Sequence, residues 1–382
     1  MNSKSASVLA NANVSTGTTV PIRKKLGFLT MMSICVGVVI VQGSMISATQ
    51  GIGLGGMGFI AAMIMAFTLA LFNAMTFSEL SLMYPQAGTL ATYTQKAIGH
   101  FPAIVAVFAG YVVVAMLALP VEMFLVDAIV GQLLPGLFPP KVVPIAILII
   151  LTITNLVGAD VFARVQNMLA FILVGALVLI GLSAVTGFVA PHPDITETGV
   201  DWSFVSIRDG SFLGLVALAM WLMVGVEFIC PMIAEVHRPE RNIPRAMFLS
   251  LLVMLAIFLT FAVGASYYLG VETLTTSPLP YLDYANAVFG KAGLLIATVM
   301  ACAATCSTIN TVLAAVARML QGMAENGQVF PQFKCVSKRF GTPWVAILFS
   351  LQLFPCQYCS AALNRSSPWS LLPLPVGCWL TW

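Results

Sequence analysis

The sequence predicts an all-α polytopic membrane protein built from two five-span repeats in opposite orientation. Three observations carry that expectation. Apolar runs long enough to cross a bilayer recur along the chain, basic residues are concentrated in the links between them, and two glycine-centred weak points lie five spans apart.

Composition sets the class. Of 382 residues 59% are hydrophobic and 8% charged, with a mean hydropathy of +0.98; a soluble domain carries roughly 25% charged residues. The net charge of +3 is spread over scattered loops, which argues against nucleic acid as a partner and leaves lipid as the surroundings. Eight cysteines, several within apolar runs, form no legible disulfide framework.

Residues 1–25 read as a cytoplasmic tail rich in Ser, Asn, Thr and Ala. Arg23-Lys24-Lys25 precedes an apolar run too long for a signal peptide. From there residues 26–350 form one transmembrane domain, with spans near 26–49, 56–80, 103–134, 142–158, 165–189, 211–234, 246–270 and 291–317 and a ninth opening near Pro343. With the N-terminus inside, Arg23, Lys24, Lys96, Arg164, Arg238, Arg318 and Lys334 fall on the cytoplasmic side, while the outer side holds only Lys141, Arg208 and Lys291. That asymmetry fits the positive-inside rule and places the chain, multi-pass, in the cytoplasmic membrane.

The weak points are specific. In the first span Gln42-Gly43-Ser44-Met45 puts an amide, a glycine and a hydroxyl near mid-membrane, with Gly37 nearly two turns earlier. In the sixth, Gly225, Glu227 and Pro231 interrupt an apolar run that starts at Trp221, and a basic run from His237 to Arg245 then reads as a short cytoplasmic loop. Backbone unwinds at that depth only where it is buried in protein or lines a wet cavity. Small residues that merely let helices pack closely, or a kinked helix with a satisfied Glu227, are the plainer accounts of each alone. An odd number of crossings between two such breaks makes the repeats inverted, and paired discontinuous helices point to a secondary transporter's midplane site.

Four stretches resemble the amino acid permeases of the amino acid–polyamine–organocation superfamily. They are Lys25-Leu26-Gly27 through Gly43-Ser44; Glu79-Leu80-Ser81 through Tyr84-Pro85-Gln86-Ala87-Gly88 to Tyr93 and Gly99; Trp221 through Arg245; and Arg318 through Trp344, with Ala324-Glu325-Asn326-Gly327 and Gly341-Thr342-Pro343. The resemblance runs from about residue 25 to 350 and implies the five-plus-five inverted-repeat fold of the leucine-transporter type, normally with about twelve spans. It implies transport of amino acids or related amines, polyamines included, by alternating access, with no cofactor and no enzymatic activity. Where the family often has a Gly-Ser-Gly-like triplet, this chain reads Val41-Gln42-Gly43, so Val41 should narrow the cavity beside the substrate.

For an amino acid, the carboxylate needs backbone N–H donors at a half-helix N-terminus, here expected from Gly43, Ser44 and Met45. The ammonium needs carbonyls before a break, expected from Gly37 to Val41 and from Leu222 to Gly225. Trp221 resembles the family's substrate-covering aromatic, although a core or interfacial tryptophan is the plainer account, and Glu227 resembles its acidic residue on this helix, placed to bind a cationic group or to serve as a proton relay during transport. Glu122, two residues after a Pro120 expected to kink span three, is open between substrate-side acid, proton relay and hydrogen-bond partner of a broken helix. Span five has no Lys to replace a sodium ion, and span eight offers Thr305, Ser307 and Thr308 as sodium ligands. Proton symport, solute exchange and sodium symport stay open in that order.

Other patterns are discounted. The glycines from Gly51 to Gly58 follow a membrane span rather than a strand and lack a P-loop Lys, so a tight outer hairpin is expected. Cys356 and Cys359 form a lone C-x-x-C, too little for a metal site, and the histidines, all in loops, leave Ser44 without a base. Residues 351–382 form an atypical tail with Pro355, Pro368, Pro373 and Pro375 and no run of ~20 apolar residues. They read as a frameshifted segment that leaves the second repeat incomplete, so a non-transporting membrane protein or inactive truncated product is the alternative function.

Overall fold

The computed structural model describes residues 26–133, 136–187, 199–203 and 211–352. The 1–25 tail, most of the outer loop from Pro191 to Gly210, and residues 353–382 lie outside the described residues, and with them the reading of the C-terminal tail. Among the described residues regular structure is helical, and the β contact is an isolated bridge between Leu26 and Val236.

The first span is two helices, α1 (Phe28–Val39) and α2 (Gln42–Gly55), bent by 62° at extended Ile40 and Val41. A one-residue turn at Gly56 (φ +47°) starts α3 (Met57–Met83). A Cβ on Gly56 would run into the Asp201 carbonyl oxygen, so this expected outer hairpin requires glycine. Next come α4 (Leu90–Ile98), α5 (His100–Val107), a π turn (Phe108–Val112) and α6 (Val113–Leu133); the last three form one 34-residue span. Pro120 lies inside α6 without ending it; the irregular turn of this span is the π turn three helical turns earlier.

The short fourth span is α7 (Val142–Val157), 16 residues, and the fifth is α8 (Ala159–Val185). The sixth begins as α9 (Phe212–Trp221), breaks over Leu222 to Gly225, and continues as a 3-10 segment (Val226–Glu235) that contains Pro231. Then α10 (Pro239–Tyr268) starts earlier than the sequence suggests. The basic run read as a loop is mostly its first two turns, because Pro239 presets φ at a position whose missing N–H has no helical partner anyway. Between residues 270 and 291, where no element is expected, stand α11 (Val271–Thr276) and α12 (Pro280–Phe289). The eighth span, α13 (Lys291–Glu325), is 35 residues long and outruns its expected end at 317. A 3-10 turn (Pro331–Lys334) leads to α14 (344–352), where the ninth span is expected. The two discontinuous spans are thus five crossings apart, as the repeat logic requires.

The core forms around α1, which packs on α8, α10, α13 and the 3-10 segment. Gly37 permits this: a Cβ there would meet the Ser307 hydroxyl and the Gln166 amide. Buried amides tie these spans together. Gln166 Nε2 donates to Ser33 O (3.0 Å) and Ser307 Oγ (2.7 Å), Asn310 Nδ2 to Gln166 Oε1 (3.0 Å), and Asn155 Nδ2 to Asn310 Oδ1 (2.9 Å). At the other end Gly322 packs so closely on the Gly88 backbone that a Cβ at Gly322 would run into the Gly88 amide nitrogen, which brings two of the family-like stretches into contact.

The start of span one and the end of span six are stitched together by Leu26 N–H to Glu235 O (2.9 Å) and His237 N–H to Leu26 O (3.0 Å). Arg318 on α13 grips the Glu235 carboxylate from Nε (2.6 Å) and Nη2 (3.0 Å), a bidentate pair.

Candidate functional site

The N-terminus of α2 is where the site begins. Its break frees backbone N–H groups at the positive end of a half-helix, and a carboxylate of the protein itself takes them. Glu122 on α6 accepts from Gly43 N at Oε1 (3.1 Å), and from Gln42 N (3.2 Å) and the Thr305 hydroxyl (2.8 Å) at Oε2. Gln42 closes the network: its Nε2 donates to Thr305 Oγ1 (2.8 Å), and its Oε1 accepts from the Tyr281 hydroxyl (2.6 Å). Gln42, Glu122, Thr305 and Tyr281 are all buried. Of the three roles open for Glu122, the hydrogen-bond partner of a broken helix is therefore filled.

Beside this network lies a cavity of about 340 Å³, lined by Gly43, Ser47, Ala118, Val121, Glu122, Ala217, Leu218, Met220, Trp221 and Val224. Three elements form it: α2, α6 and α9 with its following link. Trp221 Nε1 and Glu122 Oε1 each stand 3.6 Å from where a Gly43 Cβ would be, so this glycine keeps the floor open between indole and carboxylate. Ser47, four residues on and on the same face of α2, is fully buried and its hydroxyl has no hydrogen-bond partner among the described residues.

The structure thus brings Gly43, Trp221, Glu122 and Val224 of the expected Leu222–Gly225 link together and leaves Val41, Gln42, Ser44, Met45, Gly225 and Glu227 out of the cavity lining. Ser44 and Met45 do not offer free amides, because both N–H groups bond the Val41 carbonyl (3.1 and 3.2 Å). The Ser44 hydroxyl is likewise turned on Val41, accepting from its N–H (2.9 Å). Val41 forms the extended link into α2, and Gln42 points away into its network. Of the carbonyls expected to meet an ammonium, that of Gly37 is taken by the Thr308 hydroxyl (3.0 Å). Gly225 (φ +127°) packs over the end of α1, where a Cβ would lie 3.1 Å from Val39 Cγ2. Glu227 turns back on its own segment, accepting from Gly225 N (3.2 Å), because a residue two positions past a break can reach the amide the break has freed.

Sequence reasoning missed Ser47, Tyr281 and the apolar wall. Ser47 was within reach, one helical turn beyond Gly43; Tyr281 carried no signal, lying in a link.

The chain is similar to known proteins along most of its length. The chain is 24% identical over 343 residues to the gamma-aminobutyric acid permease of Escherichia coli strain K12, covering 84% of this chain and 69% of that one. It is 24% identical over 342 residues to the serine/threonine exchanger SteT of Bacillus subtilis strain 168, covering 87% and 76%. A solved structure titled as the inward-facing conformation of Mhp1 overlaps 92% of this chain and 75% of that one, with a TM-score of 0.49 and 16% identity. The signature of the family described as amino acid permease matches residues 26–367. A multi-pass helical membrane protein that carries this signature along most of its length belongs to the amino acid permease family, a family of transporters.

Proposed function

We propose that this protein moves small amino-bearing solutes, amino acids or related amines, across the cell membrane by alternating access, with its N-terminus in the cytoplasm. The observation that carries the reading is a cavity at the break of one discontinuous span that is walled by the other. The printed functions of the relatives, a gamma-aminobutyric acid permease and a serine/threonine exchanger, support the same solute class.

Alternating access requires a closed end that can open. The Leu26–Val236 bridge and the Arg318–Glu235 pair hold spans one, six and eight together at the inner end. Opening inward would break them together. Coupling is read as proton symport, then solute exchange, then sodium symport; the Thr305 and Ser307 oxygens already accept from Gln42 and Gln166, whereas Thr308 donates and keeps its lone pairs.

The test is uptake of radiolabelled amino acids and amines into proteoliposomes that contain the purified 382-residue chain. Saturable uptake that a second solute competes for is expected. Flux no greater than protein-free liposomes, for every solute and with proton or sodium gradients imposed, contradicts the reading.

A further inference from the structure

We infer that the cavity takes a monoamine with an apolar body and no free carboxylate, its ammonium seated on Glu122 Oε1 and Ser47 Oγ. The inference rests on the transport reading above and names the substrate class of that same site.

The argument starts from what is already occupied. A zwitterionic amino acid needs N–H donors for its carboxylate, and the α2 N-terminus is the natural source. Here the Gln42 and Gly43 amides are bonded to Glu122, and those of Ser44 and Met45 to Val41 O. No Lys, Arg or His is among the described residues lining the cavity. A ligand carboxylate would enter beside Glu122 and repel it, with no cation to offset the cost.

An ammonium meets the opposite situation. Among the described residues Glu122 has no cationic partner, so a buried carboxylate held by three hydrogen bonds still lacks a counter-charge. A buried charge is costly until it is paired. Its oxygens are unequal: Oε2 accepts two hydrogen bonds, whereas Oε1, on the Gly43 side, accepts one and keeps room for a donor. The unpartnered Ser47 hydroxyl is a second acceptor on the same wall. Beyond these groups and Trp221 the wall is Ala118, Val121, Ala217, Leu218, Met220 and Val224. That surface suits a hydrocarbon body and leaves the second charge of a diamine unpaired.

The experiment is calorimetric titration of the full chain in detergent with matched pairs: leucine against isoamylamine, phenylalanine against phenethylamine, and cadaverine as the diamine. Each monoamine should bind at least tenfold more tightly than its amino acid and than cadaverine. Glu122→Gln should weaken monoamine binding at least tenfold and Ser47→Ala a few-fold, with phenylalanine affinity unchanged or improved. Tighter binding of the amino acids, of cadaverine, or a monoamine preference that survives Glu122→Gln overturns the inference. If Glu122→Gln does not fold, the wild-type pairs decide alone. Binding of amino acids only removes this inference and spares the transport reading; binding of no solute in any pair removes both.

Discussion

The break in span one is held by groups from three other elements: Glu122 from α6, Thr305 from α13 and Tyr281 from α12. The break in span six is held by its own chain, with Gly225 in a left-handed turn and Glu227 bonded to the Gly225 amide two residues away. The second is centred on Gly225 and the first on extended Ile40 and Val41 just before Gly43; both meet a buried carboxylate, and the cavity described above is lined by Glu122 and not by Glu227. Both breaks free backbone N–H groups, and the difference lies in where their acceptor comes from. At span one the freed N–H groups face across the bundle, so their partner brings a charge to a shared wall. At span six a tight 3-10 segment follows, and its local bonding leaves a well-packed hinge against Val38 and Val39.

The largest expected effect comes from removing the outside partner of span one. Glu122→Ala strands two buried amides and the Thr305 hydroxyl, and should lower stability by about 3 kcal/mol or more, since each buried unsatisfied group costs roughly 1–3 kcal/mol. Thermal unfolding in detergent, followed by tryptophan fluorescence, checks this; a melting temperature equal to wild type would mean the network is dispensable. Next is Gly225→Ala, which forces a Cβ into a φ of +127° and to 3.1 Å from Val39 Cγ2. A loss of about 2 kcal/mol is expected from backbone strain alone, measured by the same melts.

Gly43→Ala should behave in the opposite way. Its Cβ would meet nothing closer than 3.6 Å, so stability should change by less than about 1 kcal/mol. The methyl group would nonetheless occupy the floor between Trp221 Nε1 and Glu122 Oε1 and should weaken ligand binding tenfold or more. Equal binding by Gly43→Ala and wild type would place the ligand elsewhere.

Much of this arrangement was legible in the sequence. The spans were, because ~20 apolar residues are what a bilayer demands, and so was the pairing of breaks at Gly43 and Gly225. The partners were not. Glu122 lies 80 residues from the amide of Gln42 that it caps, and Tyr281 239 residues from the Gln42 side chain that it bonds. Whether such groups meet depends on the rotation and depth of each helix, which apolar periodicity does not encode in a helix apolar on every side. Glu227 shows the converse: its partner, the Gly225 amide, is only two residues away, a contact that apolar patterning also leaves unmarked. The Arg318–Glu235 pair was not legible because the sequence places both residues at the ends of spans, where charge is ordinary, whereas α13 continues two turns past Arg318.

The division of labour between the two breaks is tested most directly by isosteric removal of each carboxylate's charge. Initial uptake rates of phenethylamine would be measured in proteoliposomes for wild type, Glu122→Gln and Glu227→Gln at matched protein incorporation. The expected result is a fall of at least tenfold in kcat/KM for Glu122→Gln, with Glu227→Gln within about threefold of wild type, because a glutamine can still accept from Gly225 N–H at little energetic difference. The reverse ranking, with Glu227→Gln abolishing uptake and Glu122→Gln sparing it, would contradict the account and move the ligand site to the break of span six.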